Sequence, residues 1–170
     1  MSINFFDECC QTKTNQSKFG LCDDSSLPNS PAYIDIDPSN EETQWVAIVD
    51  NNNEIELTFT AIDNCIKINR KDGKMDNRCD GMIIYQNHII FVELKERNYR
   101  NSVWIEEGEQ QLKNIIYLFI ENNNIANYQS KKAYIANRKK PDYQFSRKEI
   151  MQKFRNETGF ILLIQNIIKI

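Results

Sequence analysis

Three residues of the 170-residue chain stand at a spacing that can do phosphoryl chemistry: Asp80, then Glu93, then Lys95 two positions on. Each of the runs Gly81–Tyr85 and His88–Leu94 has the length and apolar, β-prone content of a strand, and the polar pair Gln86-Asn87 lies between them, so the pattern predicts a hairpin. A two-residue turn at Gln86-Asn87 sets Tyr85 opposite His88 and therefore Asp80 opposite Glu93, with Cβ atoms roughly 5 Å apart. Lys95 projects from the same strand face as Glu93 because side chains alternate along a strand.

Two opposed carboxylates at the end of an apolar hairpin repel unless a cation lies between them. Mg²⁺, with Mn²⁺ as the substitute, needs only one or two protein carboxylates and keeps several waters. Such an ion would polarise a phosphate and activate a water that Lys95 positions. The competing reading makes Asp80 and Glu93 ordinary strand-end charges neutralised by Arg78, Lys95 and Arg97.

The elements that must position these residues read as one mixed α/β domain over residues 31–170. Ala32–Ile36, Trp45–Val49 and Ile55–Phe59 read as short strands, and Thr60–Ile66 as a brief helix with Thr60 and Asp63 at capping-box spacing. The hairpin is apolar on both faces, Met82, Ile84, Ile89 and Phe91 on one and Ile83, Ile90, Val92 and Leu94 on the other. That pattern belongs to central strands of a covered sheet. Ser102–Glu121 has helical spacing, Ala133–Ala136 reads as a strand, and Ser146 to Glu149 forms a second capping box opening a helix that Gly159 ends. The last twelve residues are β-prone. Residues 1–30 are polar and read as an arm with little structure of its own.

Asp80, twelve intervening residues and Glu93-Leu94-Lys95 on the second strand of a hairpin resemble the signature of the PD-(D/E)XK nuclease superfamily. The resemblance covers roughly residues 61–136. It implies a restriction-endonuclease-like αβββαβ core flanked by helices, preceded here by the polar arm and extra short strands. It further implies a phosphodiesterase with Asp80, Glu93 and Leu94 at the metal, Lys95 serving the attacking water, and Gln111 of the following helix near the scissile phosphate. Gln111-Leu112 is similar to the Gln-Leu of the RecB-like branch, although Tyr117 is out of place for the tyrosine that follows it there. Cys79 stands where the superfamily often has Pro. The upstream acid that often completes such a site has Asp63 as its candidate, against its simpler role in the capping box.

Charge is unevenly spread. From Ala126 to Ile170 there are ten Lys/Arg against three Asp/Glu, whereas Met1–Thr60 holds two Lys against eleven Asp/Glu. A basic C-terminal part suits phosphate contacts, for which Arg138, Lys139 and Lys140 are the candidates. The acidic part suits docking on a partner or on the basic half of the chain. Trp104 is a candidate for base stacking, set against burial at a helix start.

The expected substrate is nucleic acid, DNA ahead of RNA, cut within a homo-oligomer or with a protein partner in a defence, repair or mobile-element setting. A binding module that keeps the fold without catalysis is the alternative from another class. No run approaches the ~20 apolar residues of a membrane span, and the N-terminus has no signal-peptide pattern. Five cysteines, an odd number, read as buried or free thiols in a reducing compartment, which points to the cytoplasm. With His88 as the only histidine, at the proposed turn, a Cys–His or Ser–His hydrolase is disfavoured.

Overall fold

The computed structural model describes residues 2–24, 26–27, 29–68, 77–98, 102–139 and 147–170. Among the described residues, two sheets and two α-helices stack in three layers. The central layer is a six-stranded mixed sheet in the order β1 (Gln11–Thr14), β5 (Leu57–Ala61), β6 (Gly81–Tyr85), β7 (His88–Lys95), β8 (Ser130–Asn137) and β9 (Ile161–Ile164). Its first four strands are antiparallel, and β7, β8 and β9 run parallel. A four-stranded sheet packs beside it, in the order β10 (Ile167–Lys169), β4 (Ala47–Asp50), β2 (Lys18–Cys22) and β3 (Tyr33–Asp35).

The apolar pattern of the hairpin explains this layering. Met82, Ile89 and Phe91 pack with Leu112, Ile116 and Phe119 of α1 (Val103–Asn122), and with Phe154 of α2 (Lys148–Thr158). Ile83, Ile90, Val92 and Leu94 face the other way, into a core with Phe19, Leu21 and Val49 of the second sheet. A hairpin covered on both sides needs apolar residues on both faces, and Met82 to Ile84 with Ile89 to Val92 supply them. Tyr85 pairs with His88 across a two-residue turn, so the expected register holds. Gly159 ends α2 in the left-handed conformation (φ 78°) that favours glycine.

Three expectations are corrected. Residues 2–24 are no loose arm: Phe5 is fully buried against Phe119, and β1 and β2 are each paired into a sheet. Their polar composition reflects an edge strand, where hydrophilic side chains face water. No helix forms over 60–66, so the first helix of the expected αβββαβ core is missing among the described residues. Thr60 lies in β5, and a turn follows. The Ile62 carbonyl accepts from Cys65 and Ile66, closing one turn, and the buried Arg78 guanidinium then donates to the carbonyls of Ile66 and Ile68 from outside. Such bonds remove the need for a helical ladder.

The third correction concerns the thiols: Cys10 and Cys65 form a disulfide, while Cys9, Cys22 and Cys79 are free. The inference from cysteine usage to a reducing compartment therefore loses its footing. No helix among the described residues is long and apolar enough to cross a membrane. The Ser146 end of the second capping box lies outside the described residues.

Candidate metal and phosphate site

The hairpin delivers Asp80 and Glu93 to one place. The β6–β7 ladder pairs Gly81 with Val92, so Asp80, one residue before β6, lies beside Glu93. Its Oδ2 accepts the Leu94 N–H at 2.6 Å, which fixes the carboxylate across the strand end. Glu93 Oε1 lies 2.7 Å from Lys95 Nζ, and the same Nζ donates to Gln111 Oε1 at 2.6 Å. Gln111 Nε2 in turn donates to the Arg78 carbonyl at 2.8 Å, so one α1 side chain ties the lysine to the strand that brings Asp80 in. The relay Glu93–Lys95–Gln111–Arg78 leaves the ammonium one proton for a third partner.

These groups are nearly dry. Asp80 and Lys95 are 9% exposed and Glu93 is 2% exposed. Burial, with the neighbouring Glu93 charge second, pushes the Asp80 carboxyl well above its ordinary range. Burial also raises Glu93 to about 7, against the lowering effect of Lys95. Glu93 Oε2 is buried without a hydrogen-bond partner. A buried, unsatisfied carboxylate oxygen is costly unless something else binds it.

That oxygen belongs to a residue lining a 370 Å³ cavity, together with Asp80, Leu94, Lys95 and Gln111. Asp63 lines it too. Without a helix over 60–66 the capping role is excluded, and both Asp63 oxygens instead accept from Asn64, whose left-handed backbone (φ 57°) folds it back. Two lining acids went unmarked in the sequence, Glu96 just past β7 and Asp23 just past β2; Asp23 is the one remote from the hairpin. Burial raises its pKa, with Asp63 and Glu96 adding to the effect. Nothing local marks it, because its place is set by the pairing of β2 with β4 and β3 in the second sheet.

α1 comes close enough to reach this site because of Gly108. A Cβ there would stand 3.2 Å from Ile135 and 3.3 Å from Glu93 Cγ. Glu107 and Gln110, on the exposed side of α1, do not line the cavity, and Gln110 bonds to Asn114 instead.

The basic candidates separate. Lys139 lines the cavity. Arg138 is committed internally: its Nε bonds to Glu96 at 2.8 Å, and its guanidinium also donates to the Glu42 and Thr43 carbonyls. It braces the fold where a phosphate contact was expected. Lys140 lies outside the described residues. Trp104 is 1% exposed and belongs to the core, so it offers no face to a base.

Among the described residues no three His, Cys, Asp or Glu side chains converge into a ready-made cation cage. Two carboxylates and a strand carbonyl completed by water still satisfy a hard divalent ion. The donor set, all oxygen, fits Mg²⁺ or Mn²⁺ and does not fit a thiolate-ligated metal. No protein-family model, curated protein or solved structure matches the chain.

Proposed function

We propose that the chain is a metal-dependent nuclease of PD-(D/E)XK type that hydrolyses phosphodiester bonds, with DNA as the leading substrate. The observation that carries this reading is the buried Asp80–Glu93 pair with its unsatisfied Glu93 Oε2, backed by an ammonium held at hydrogen-bond range. The succession β5, β6, β7, α1, β8 supports it, since it supplies the strand–strand–strand–helix–strand part of a restriction-endonuclease-like core.

Asp80 and Glu93, with the Leu94 carbonyl, would hold the divalent ion, which would supply Lewis-acid stabilisation of charge on the phosphate. Lys95, fixed by Glu93 and Gln111, turns its remaining proton toward the attacking water and offsets the charge developing on the phosphate. Lys139, on the cavity wall, holds a phosphate oxygen of the incoming strand. The acids lining the cavity outnumber its cations, so productive binding of a polyanion depends on the metal ion.

The test is cleavage of single-stranded and duplex DNA and RNA with Mg²⁺ or Mn²⁺, wild type beside Asp80→Ala and Lys95→Ala. Cutting that needs the metal and falls at least roughly a hundredfold in both variants supports the reading. Cutting that survives both substitutions refutes it. The alternative, a silent binding module, requires wild type to bind nucleic acid without cutting it.

A further inference from the structure

A second recess opens beside the catalytic cavity. It measures 240 Å³ and shares two lining residues, Asp23 and Glu96, with its 370 Å³ neighbour. Its walls come from the end of β2, from Tyr33 of β3, from Thr43 and Gln44 ahead of β4, and from the ends of β7 and β8. It therefore sits at the carboxyl ends of parallel strands, where α/β sheets commonly bind ligands. The Glu96–Arg138 ion pair, whose guanidinium also grips the Thr43 carbonyl, stiffens the partition between the two cavities.

The chemistry of the recess differs from that of its neighbour. Tyr33 is 39% exposed and places an aromatic ring at the recess wall. The polar groups are mostly acceptors. Asp24 uses Oδ1 to accept from the Ser26 N–H and hydroxyl, and its Oδ2 bonds to no described residue. Gln44 donates Nε2 to Asn40, which leaves its carbonyl oxygen to accept. Asp24 is held below the usual carboxylate range by Ser26 and is ionised at neutral pH.

An acceptor-rich, negative recess repels phosphate. It admits an uncharged planar group whose edge donates hydrogen bonds and whose face can stack. The volume is below that of a drug-sized ligand site and suits one such ring. Adenine, cytosine and guanine carry an exocyclic amine that donates, and thymine carries none.

We propose that this recess holds one unpaired nucleobase of the strand being cut, stacked on Tyr33 and read by Asp24 and Gln44, with preference for bases bearing an exocyclic amine. This rests on the nuclease reading and adds a substrate form to it, because a base enters such a recess only from a single strand or after leaving its duplex. The sugar–phosphate then continues past Asp23 into the neighbouring cavity. Tyr33, Asp24 and Gln44 are specificity residues, and none of them lines the catalytic cavity.

The experiment measures anisotropy of labelled oligo(dA) and oligo(dT) single strands in Ca²⁺, then cut positions on a mixed-sequence single strand in Mn²⁺. Wild type is expected to bind oligo(dA) more tightly than oligo(dT). Tyr33→Ala should weaken oligo(dA) binding roughly 5- to 150-fold, the range of one lost base stack, while Tyr33→Phe retains most of it. Asp24→Asn should narrow the gap between the two oligonucleotides, with Mn²⁺ affinity unchanged in every variant. Equal binding of both strands by wild type, with no effect of Tyr33→Ala or Asp24→Asn, overturns the recess and leaves metal-dependent cutting intact. Binding with the expected preference but no cutting under any metal upholds the recess and sinks the nuclease reading.

Discussion

At the scale of single residues, the site is built on carboxylates kept out of water. Glu93 with a folded pKa of about 7 binds a proton that the unfolded chain, near 4.5, has already lost over the interval between them. The sign follows from linkage: this contribution is fully present below about pH 4.5 and disappears as pH rises to about 7. Without divalent metal, urea denaturation should therefore show stability falling across that window by up to about 3 kcal/mol, at about 1.4 kcal/mol per pKa unit. Asp80, shifted the same way, adds to the fall. Glu93→Gln should flatten the profile, and a slope unchanged in that variant would remove Glu93 as its source. Gln111 is a positioning residue, acting through Lys95. Gln111→Ala should lower kcat roughly 10- to 100-fold, leave Mn²⁺ affinity in place, and move the acidic limb of the pH–rate profile as the ammonium loosens. Gln111→Glu, which keeps an acceptor, should recover part of the loss.

At the scale of elements, two features hold the site together from outside it. Gly108 lets α1 lie against Ile135 and the Glu93 side chain. Gly108→Val should push the helix away, costing roughly 1–3 kcal/mol of stability and weakening cation binding with it. Thermal melts beside Mn²⁺ titrations of that variant measure both. The Cys10–Cys65 disulfide ties the segment leading into β1 to the turn that carries Asp63, across 55 residues of sequence. Cys10→Ser should cost about 2–4 kcal/mol by urea melt, as expected when a long loop is opened in the unfolded chain.

The hairpin was legible in the sequence, because two apolar, β-prone runs around a polar pair are a local signal, and the division of Met82, Ile83, Ile89 and Ile90 between two cores follows from the alternation of side chains along a strand. Glu93 and Lys95 on one strand face follow equally. A helix was expected over 60–66 because a short capping-box spacing carries no information about β5, which runs on to Ala61, or about Arg78, whose guanidinium takes up the Ile66 carbonyl twelve residues away. The disulfide was missed for a related reason: an odd cysteine count does not say which two thiols the fold brings together.

At the scale of the whole molecule, charge and layering belong to one arrangement. The acidic N-terminal third is wound into both sheets, and its Asp23 reaches the cavity that the hairpin builds. Its distance in sequence from Asp80 conceals this, since only the packing of the second sheet on the first brings them near. The basic C-terminal part meets it at Arg138, which bonds to Glu96 and to the carbonyls of Glu42 and Thr43. Arg138 is thereby used within the chain, and Lys139 is the described residue of the Arg138–Lys140 run that remains for a phosphate.

All of this depends on the buried pair being a cation site, and calorimetric titration of the metal-free protein with Mn²⁺ tests that without any partner or substrate. The account predicts saturable binding by wild type, accompanied by proton release near pH 6.5 because the carboxyls must ionise, and loss of that binding in Asp80→Asn and Glu93→Gln. Mn²⁺ heats that are absent from wild type, or unchanged in both variants, would contradict it.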